Sequence, residues 1–249
     1  EYQTLICQLT GMDVSNASLY DGGTALAEAV LTAYRNRDIL DGKILVSRTV
    51  RPGYRQVVKT YISGIPVQMV DVPYNNGITD IDFIKDNLDE KTLAVVAQSP
   101  NFFGCLEPLH KIVPLVKKYN TLMIVSANPI SLGVLKSPGS FGADIVVGEG
   151  QALGTPLSYG GPYLGYFAVT KKLLRKIPGR LVGRTKDTKG RTGYVLTLQT
   201  REQHIRREKA SSNICTNEAL NALSACIYLT LLGKQGMKDV SENNIYLSH

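Results

Sequence analysis

The sequence lacks several features that would indicate a particular class of protein or site. No hydrophobic run is long enough to cross a membrane, and no segment resembles a secretion signal. No lysine lies between Lys136 and Lys171. The few cysteines are scattered, without the spacing of metal ligands or redox pairs: Cys7, Cys105, Cys215 and Cys226. We therefore expect a cytoplasmic protein with reduced thiols, no metal site and no membrane contact.

Aromatic residues are nearly absent from the most basic part of the chain. Residues 171–209 hold thirteen Lys and Arg against three Asp and Glu, whereas the rest holds fifteen against eighteen. A concentrated basic segment can bind phosphate groups, nucleic acid or an acidic protein. Its only aromatic residue is Tyr194, so stacking on bases is not expected and we predict no nucleic-acid partner. A solvated basic face is the simplest interpretation.

The length of 249 residues and the 43% hydrophobic content suffice for one large α/β domain. Strand-like and helix-like segments alternate up to Thr170, which predicts a mostly parallel sheet between helices. Beyond it, residues 178–198 predict a loop or hairpin, and residues 200–209 and 218–232 predict helices. We expect residues 1–232 to form a large domain and residues 233–249 to begin a link to a small C-terminal domain. Because the chain opens on Glu1 within a helical pattern, we expect a fragment of a longer chain.

The segment richest in candidate features is residues 143–169. Two predicted strands, residues 143–147 and 164–169, enclose a loop with five glycines: Gly148, Gly150, Gly154, Gly160 and Gly161. So many glycines indicate a backbone that a ligand approaches closely, and a long turn is an equally good explanation. Ligands of parallel α/β sheets bind at the carboxyl ends of the strands, where this loop is expected to lie.

The strand before this loop resembles that of a fold-type I pyridoxal-phosphate (PLP) enzyme. Residues 121–127 form an apolar strand that leads into Asn128. Ser126 stands where these enzymes carry an Asp that pairs with the pyridine nitrogen. In these enzymes a following strand leads to the lysine of the Schiff base. This chain has no lysine at that place, because none lies between Lys136 and Lys171. The order of strands and loops is therefore that of a PLP enzyme, but the aspartate and the lysine that act on PLP are missing.

Longer motifs indicate the family. They are E-Y-Q-T-L-I-C-Q-L-T-G-M-D, S-L-Y-D-G-G-T-A-L-A-E-A, Q-S-P-N-F-F-G, R-L-V-G-R-T and T-R-E-Q-H-I-R-R-E-K-A-S-S-N-I-C-T. Together they resemble the glycine decarboxylases (P-proteins) of the glycine cleavage system, and specifically subunit 1 of the split bacterial form. The resemblance runs from end to end and implies the large domain of the fold-type I PLP-dependent transferases.

The resemblance also implies a function. In that family glycine is decarboxylated on PLP, and its aminomethyl group passes to the lipoyl arm of the H-protein. The chain is similar to the half without the Schiff-base lysine, whose place falls near Gln151 or Ala152. We expect this chain to carry no catalytic residue and to be inactive alone, with PLP bound covalently by the partner subunit. The implied partners are glycine decarboxylase subunit 2, lipoylated H-protein and glycine.

Two candidate cofactor contacts follow from the same resemblance. Relatives use a glycine pair on the partner's PLP phosphate, and backbone N–H groups of glycines bind phosphate without obstruction by a Cβ. The corresponding residues are Tyr159, Gly160 and Gly161, for which a turn within this subunit is the alternative. The active half binds phosphate at the start of a helix, which predicts a vestigial anion site at Gly22, Gly23 and Thr24.

A second hypothesis retains the fold without the chemistry. The missing lysine and aspartate are equally consistent with a non-catalytic docking or regulatory module. Such a module would bind the other subunits without being needed for turnover. Co-expression with the second half separates the two hypotheses.

Overall fold

The structure, a computed structural model, describes residues 1–37, 39, 41–210 and 212–248. The helices in these residues are α1 (Tyr2–Thr10), α2 (Gly22–Asn36), α3 (Pro52–Ile62), α4 (Ile81–Asn87), α5 (Leu109–Lys117), α6 (Gln203–Arg206) and α7 (Ala219–Ser248). The strands are β1 (Val14–Ser15), β2 (Gly42–Ser47), β3 (Val67–Val72), β4 (Tyr74–Asn75), β5 (Ile78–Thr79), β6 (Thr92–Gln98), β7 (Leu122–Ser126), β8 (Ile145–Glu149), β9 (Gly165–Val169), β10 (Leu181–Lys186) and β11 (Thr192–Thr197).

The main sheet has the strand order β1-β9-β8-β7-β6-β2-β3. The strands from β8 to β3 pair in parallel, whereas β9 runs antiparallel to β8. The prediction of a mostly parallel sheet between helices is therefore confirmed. Val14 and Ser15 form the short edge strand β1, which pairs with β9 and which the sequence analysis did not predict.

Helices cover both faces of this sheet. Alternate residues of a strand point to opposite faces, and β7 shows the consequence. Met123 and Val125 pack in the layer with α1, α5 and α7, while Ile124 packs in the layer with α2 and α3. The near-continuous apolar strands of the sequence are thus explained by burial on both sides.

Helix α2 is buried on nearly every side. Asp21 caps its start, and its residues from Gly22 to Ala33 are all buried except Thr24. A helix that is enclosed in this way is an internal element rather than a surface one. The buried stretch contains one ionisable side chain, that of Glu28.

Two of the predicted helices differ from the structure. The helix predicted over residues 200–209 was wrong, because only α6 forms there, between two single 3₁₀ turns. The helix predicted over residues 218–232 continues as α7 to Ser248, with a break at Gly233, where φ is 59°. The hairpin alternative for residues 178–198 is confirmed by the pairing of β10 with β11.

The break in α7 coincides with the proposed boundary between residues 232 and 233. Beyond it, Met237 and Ser241 are buried against the large domain. The division into a large domain and a linking segment stays a prediction, and its last residue, 249, lies outside the described residues.

The described residues contain neither a membrane-spanning helix nor a cluster of metal ligands. No helix among them has the length and apolar character that crossing a bilayer requires. Within the same residues, no group of three or more His, Cys, Asp or Glu side chains is placed to hold a metal ion. The cysteines are free thiols.

Candidate functional site at the carboxyl edge of the sheet

The loops that follow the parallel strands meet at one edge of the sheet. The N–H of Ser99, after β6, donates to the carbonyl of Ser126 at 2.9 Å. The N–H of Ala127, after β7, donates to the carbonyl of Val147 at 2.9 Å. The Tyr166 hydroxyl of β9 donates to the carbonyl of Ala127 at 2.7 Å. This edge is where the sequence predicts a ligand site.

Glu149, the last residue of β8, holds three backbone N–H groups at this edge. One carboxylate oxygen accepts from Gly22 at 2.9 Å, and the other accepts from Gln151 at 2.9 Å and Leu164 at 2.8 Å. Burial raises the pKa of this carboxyl, the three N–H bonds oppose the rise, and the nearby Asp21 adds to it. Glu149 therefore joins the start of α2 to both ends of the glycine-rich loop.

Asp21 satisfies the remaining amides at the start of α2. Its Oδ1 accepts from the N–H groups of Gly23 at 2.7 Å and Thr24 at 2.9 Å. The Thr24 hydroxyl donates to Asp21 Oδ2 at 2.9 Å and accepts from the Asp21 N–H at 3.3 Å, which completes a capping box. A Cβ at Gly22 would collide with the Tyr54 hydroxyl, so packing alone requires glycine there.

These contacts bear on the anion site predicted at Gly22, Gly23 and Thr24. All three amides are bonded to carboxylates of the same chain, so the charge expected at a helix N-terminus is supplied internally. A phosphate at this position stays a prediction, and it would have to displace Asp21 or Glu149.

The predicted glycine pair lies on an exposed loop between β8 and β9. Tyr159 is fully exposed. The N–H groups of Gly160 and Gly161 both donate to the carbonyl of Leu157, at 2.8 and 3.2 Å. Gly160 has φ of +107° and needs glycine, whereas a Cβ at Gly161 meets open space. The assignment of Tyr159, Gly160 and Gly161 to a partner's phosphate stays a prediction, and it requires these N–H groups to share or leave the Leu157 carbonyl.

The loop between β6 and α5, which carries the motif Q-S-P-N-F-F-G, also lies at this edge, and the sequence interpretation missed the buried network that holds it. The buried Glu107 carboxylate accepts from Thr49 Oγ1 at 2.7 Å, Asn101 Nδ2 at 2.8 Å and the Thr79 N–H at 3.1 Å. Asn101 Oδ1 in turn accepts from the N–H groups of Phe103 at 3.0 Å and Cys105 at 3.1 Å. A buried network with its partners satisfied holds a loop rigidly.

This network presents two phenylalanines to solvent. Phe102 and Phe103 are 53% and 47% exposed, and the Phe103 ring lies 4.9 Å from that of Tyr74. Adjacent exposed aromatic side chains on a fixed loop are typical of an interface. The sequence signal was the pair of phenylalanines directly after a strand, but nothing local showed that a buried carboxylate fixes them.

An apolar stripe runs along the first part of α7. Its members are exposed by 51–80% and recur at helical spacing: Leu220, Leu223, Ile227 and Leu231. Leu157, at 78% exposed, and Tyr163, at 47%, belong to the neighbouring loop. An exposed apolar patch of this kind is typical of an interaction surface.

The basic segment has a structural use for one of its arginines. Arg201 is part-buried, and its guanidinium donates to the carbonyls of Ile177 and Gly179. Burial lowers the pKa of this guanidinium. His204 contacts Glu202 at 3.7 Å and is otherwise exposed, which gives it no catalytic geometry.

The amino-acid sequence of this chain is similar to those of a known family. The whole chain, residues 1–249, matches the family described as the glycine cleavage system P-protein. This chain belongs to the P-protein family. The resemblance on which the sequence interpretation rested is confirmed.

Curated relatives within the P-protein family carry the name probable glycine dehydrogenase (decarboxylating) subunit 1. The Bacillus velezensis protein is 56% identical over 245 residues, which cover 98% of this chain and 54% of the relative. The Bacillus subtilis (strain 168) protein is 55% identical, with 98% and 54% covered. This chain therefore spans about half the length of the curated relatives that it matches.

Solved structures confirm the fold. A glycine decarboxylase (P-protein) of the glycine cleavage system, in inhibitor-bound form, superposes with a TM-score of 0.91 at 46% identity, over 96% of this chain and 53% of that one. The cysteine desulfurase CsdA from Escherichia coli superposes with a TM-score of 0.68 over 95% of this chain and 57% of that one. At 13% identity, that match shows the fold alone, which is the fold-type I large domain expected from the sequence.

P-proteins depend on PLP, but the residues at this edge of this chain do not fit the cofactor. The resemblance implies the Schiff-base lysine near Gln151 or Ala152, neither of which is a lysine, and the Gln151 side chain donates to the Pro156 carbonyl at 3.0 Å. Ser126, buried at the end of β7, offers no carboxylate to a pyridine nitrogen. The amides at the start of α2 are bonded to Asp21 and Glu149. Covalent attachment and ring pairing each lack their group, and the amides predicted to bind phosphate already have carboxylate partners.

Proposed function

We propose that this chain is the lysine-less subunit of PLP-dependent glycine decarboxylase, the glycine dehydrogenase (decarboxylating) of the glycine cleavage system. The observation that carries the proposal is the filling of the α2 N-terminus by Asp21 and Glu149, together with Gln151 near the lysine position. A chain that satisfies its own anion site does not need the cofactor in order to fold. The partner subunit binds PLP covalently, and this chain completes the enzyme around it.

The partner that fits the exposed surfaces is glycine decarboxylase subunit 2. The apolar stripe of α7 flanks the loop that carries Gly160 and Gly161, because the Asn221 side chain donates to the Tyr163 carbonyl at 2.8 Å. The glycine pair and the stripe therefore form one continuous surface. A subunit that covers the stripe also reaches the glycine pair, which supports the assignment of Tyr159, Gly160 and Gly161 to the partner's PLP phosphate.

The whole enzyme decarboxylates glycine and transfers its aminomethyl group to the lipoyl arm of the H-protein. PLP supplies the electron sink for this chemistry when it is bound to the partner. This chain contributes the rigid edge of the sheet, the Phe102 and Phe103 loop, and the glycine pair. Its lack of a catalytic residue is part of the proposal.

Reconstitution tests the proposal against the docking-module alternative. Each subunit is assayed alone and in the complex for glycine-dependent carbon dioxide release with lipoylated H-protein. We expect activity only when both subunits are present. Full activity of subunit 2 alone would show that this chain is a docking or regulatory module.

Borohydride reduction provides the second test. Incubated with PLP and reduced, this chain should yield no pyridoxyl-lysine peptide by mass spectrometry, whereas the partner should yield one. A modified lysine in this chain would overturn the assignment of the cofactor to the partner.

A further inference from the structure

Glu28 is a buried carboxylate that the proposed function does not use. It lies on α2, is 2% exposed, and its Oε2 has no hydrogen-bond partner among the described residues. Burial of an unpaired polar oxygen costs stability, and native structures rarely retain one without a use. The residues next to it along α2, 25–27 and 29–31, are all apolar, so the helix pattern does not require an acid here.

A cavity lies directly against this carboxylate. Its volume is about 370 Å³, which is within the range of small-molecule sites. Glu28 lines it together with the side chains of Tyr20, Leu31, Arg35, Tyr61 and Ile214. The cavity therefore combines one buried acid, two phenols, apolar walls and an exposed guanidinium.

Two charged groups line the cavity. Glu28 and Arg35 are two turns apart on the same face of α2, about 10 Å along the axis from the rise of 1.5 Å per residue. Glu28 is buried, whereas Arg35 is exposed. The site thus presents a buried negative group and a solvent-exposed positive group.

We propose that this cavity binds a small α-amino acid as its zwitterion, with the ammonium on Glu28 and the carboxylate on Arg35. An ammonium group brings the donors that Glu28 Oε2 lacks. A carboxylate beside Arg35 pairs with its guanidinium in the geometry that favours such pairs. An amine without a carboxylate leaves Arg35 unused, and an acid without an amine is repelled by Glu28.

The titration of Glu28 gives this site a measurable signature. Burial raises the pKa of Glu28 to about 7. A hydrogen bond with the Ser212 side chain and the positive charge of Arg35 each lower this pKa, but by less than burial raises it. The other titratable groups facing it are the phenols of Tyr20 and Tyr61, and the pKa of Tyr61 is raised by burial and by the charge of Glu28. Because a bound ammonium requires the ionised carboxylate, binding near pH 6 must release a proton to the buffer.

The experiment is calorimetric titration of the native assembly that contains this chain, after borohydride reduction so that any PLP in the assembly cannot react with the added amines. The ligands are L-alanine, methylammonium and acetate. We expect L-alanine to bind more tightly than methylammonium, and acetate to show no measurable binding. At pH 6, titrations in two buffers of different ionisation enthalpy should reveal release of about one proton, and at pH 8.5 of about none.

Variants locate the binding. Glu28→Gln should weaken L-alanine binding at this site by about ten- to a hundredfold, the loss expected for one charge-assisted bond. Arg35→Gln should remove the advantage of L-alanine over methylammonium without changing methylammonium affinity. Glu90→Gln, an exposed carboxylate elsewhere, is the matched control and should change nothing.

Three outcomes would overturn the proposal. They are the absence of L-alanine binding at tens of millimolar, equal binding to wild type and Glu28→Gln, and binding at pH 6 without proton release. The last measurement uses the wild-type protein and does not depend on a folded variant. None of the readouts requires turnover, so the result is independent of the test of the proposed function.

Discussion

Glu149 accepts a hydrogen bond from the backbone N–H of Gly22 across 2.9 Å, although 127 residues separate the two along the chain. This contact joins the last residue of β8 to the first residue of α2. A carboxylate on a helix N-terminus takes the position that an anionic ligand would occupy. In this chain the anion is covalently part of the fold.

We expect Glu149→Ala to destabilise the chain by about 3 kcal/mol or more, because three part-buried N–H groups lose a charged acceptor. The N–H groups belong to Gly22, Gln151 and Leu164. Urea unfolding provides the measurement. The control Glu242→Ala removes an exposed carboxylate paired with Lys238 at 3.4 Å and should cost less than about 0.5 kcal/mol. Equal losses would show that Glu149 does not fix the start of α2.

The stability contributed by Glu28 should depend on pH. Burial raises its pKa from 4.5 to about 7, so the folded state binds this proton more tightly than the unfolded state. The contribution of Glu28 to the free energy of unfolding is therefore highest below pH 4.5. It falls by about 3 kcal/mol in total as the pH rises to 7 and above. Glu28→Gln does not titrate and should abolish this part of the pH dependence. Identical pH profiles of wild type and variant, measured by urea unfolding without added amino acid, would contradict the prediction.

Local patterns predicted most of the fold, and the contacts that define the site are not local. The start of α2 is readable from the capping residues Asp21 and Thr24, and the five parallel strands are readable from apolar runs. The burial of Glu28 was not readable, because the residues that cover it, such as Ile214, come about 185 positions later. The false helix over residues 200–209 has a similar cause. Arg201 bonds to Ile177 and Gly179, and Arg207 adopts φ of 54°.

The assignment of the glycine pair predicts a loss of cofactor affinity. Gly161→Ala should weaken PLP binding by the assembled enzyme about ten- to a hundredfold, because a Cβ would obstruct one charge-assisted bond to the phosphate. The variant is informative because open space surrounds the new methyl in this chain, so folding is spared. PLP affinity is measured by fluorescence or equilibrium dialysis.

The structure also selects the control for that experiment. Gly154 is unsuitable, because it has φ of +84° and its Cβ would meet Tyr228 at 2.8 Å. Gly193→Ala, in the β10–β11 hairpin, meets nothing within 4 Å and should leave PLP affinity unchanged. An unchanged dissociation constant for Gly161→Ala in an intact assembly would show that the glycine pair is only a turn.

Substitutions in the apolar stripe should prevent assembly with subunit 2 without destabilising this chain. Leu220 and Leu231 are 78% and 80% exposed, so lysine at either position should change the stability of this chain by less than about 0.5 kcal/mol. The same substitutions should abolish association with subunit 2, because they place an unpaired charge inside an interface. Leu247→Lys, 72% exposed beyond the break in α7, is the control. Association is measured by analytical ultracentrifugation, and normal assembly of both stripe variants would exclude the stripe as the interface.

The segment of α7 after Gly233 packs closely against residues 130–133. Its Ser241 hydroxyl donates to the carbonyl of Ile130, and a Cβ at Gly133 would collide with Ser241 and with the carbonyl of Met237. The segment from 234 to 248 is about 21 Å long at 1.5 Å per residue. A methyl group added at Gly133 would push on Met237 and Ser241 and would turn the segment about the break at Gly233. The exposed side chains of Ile245, Tyr246 and Leu247 lie farther from this break and would therefore move farther than Ser241.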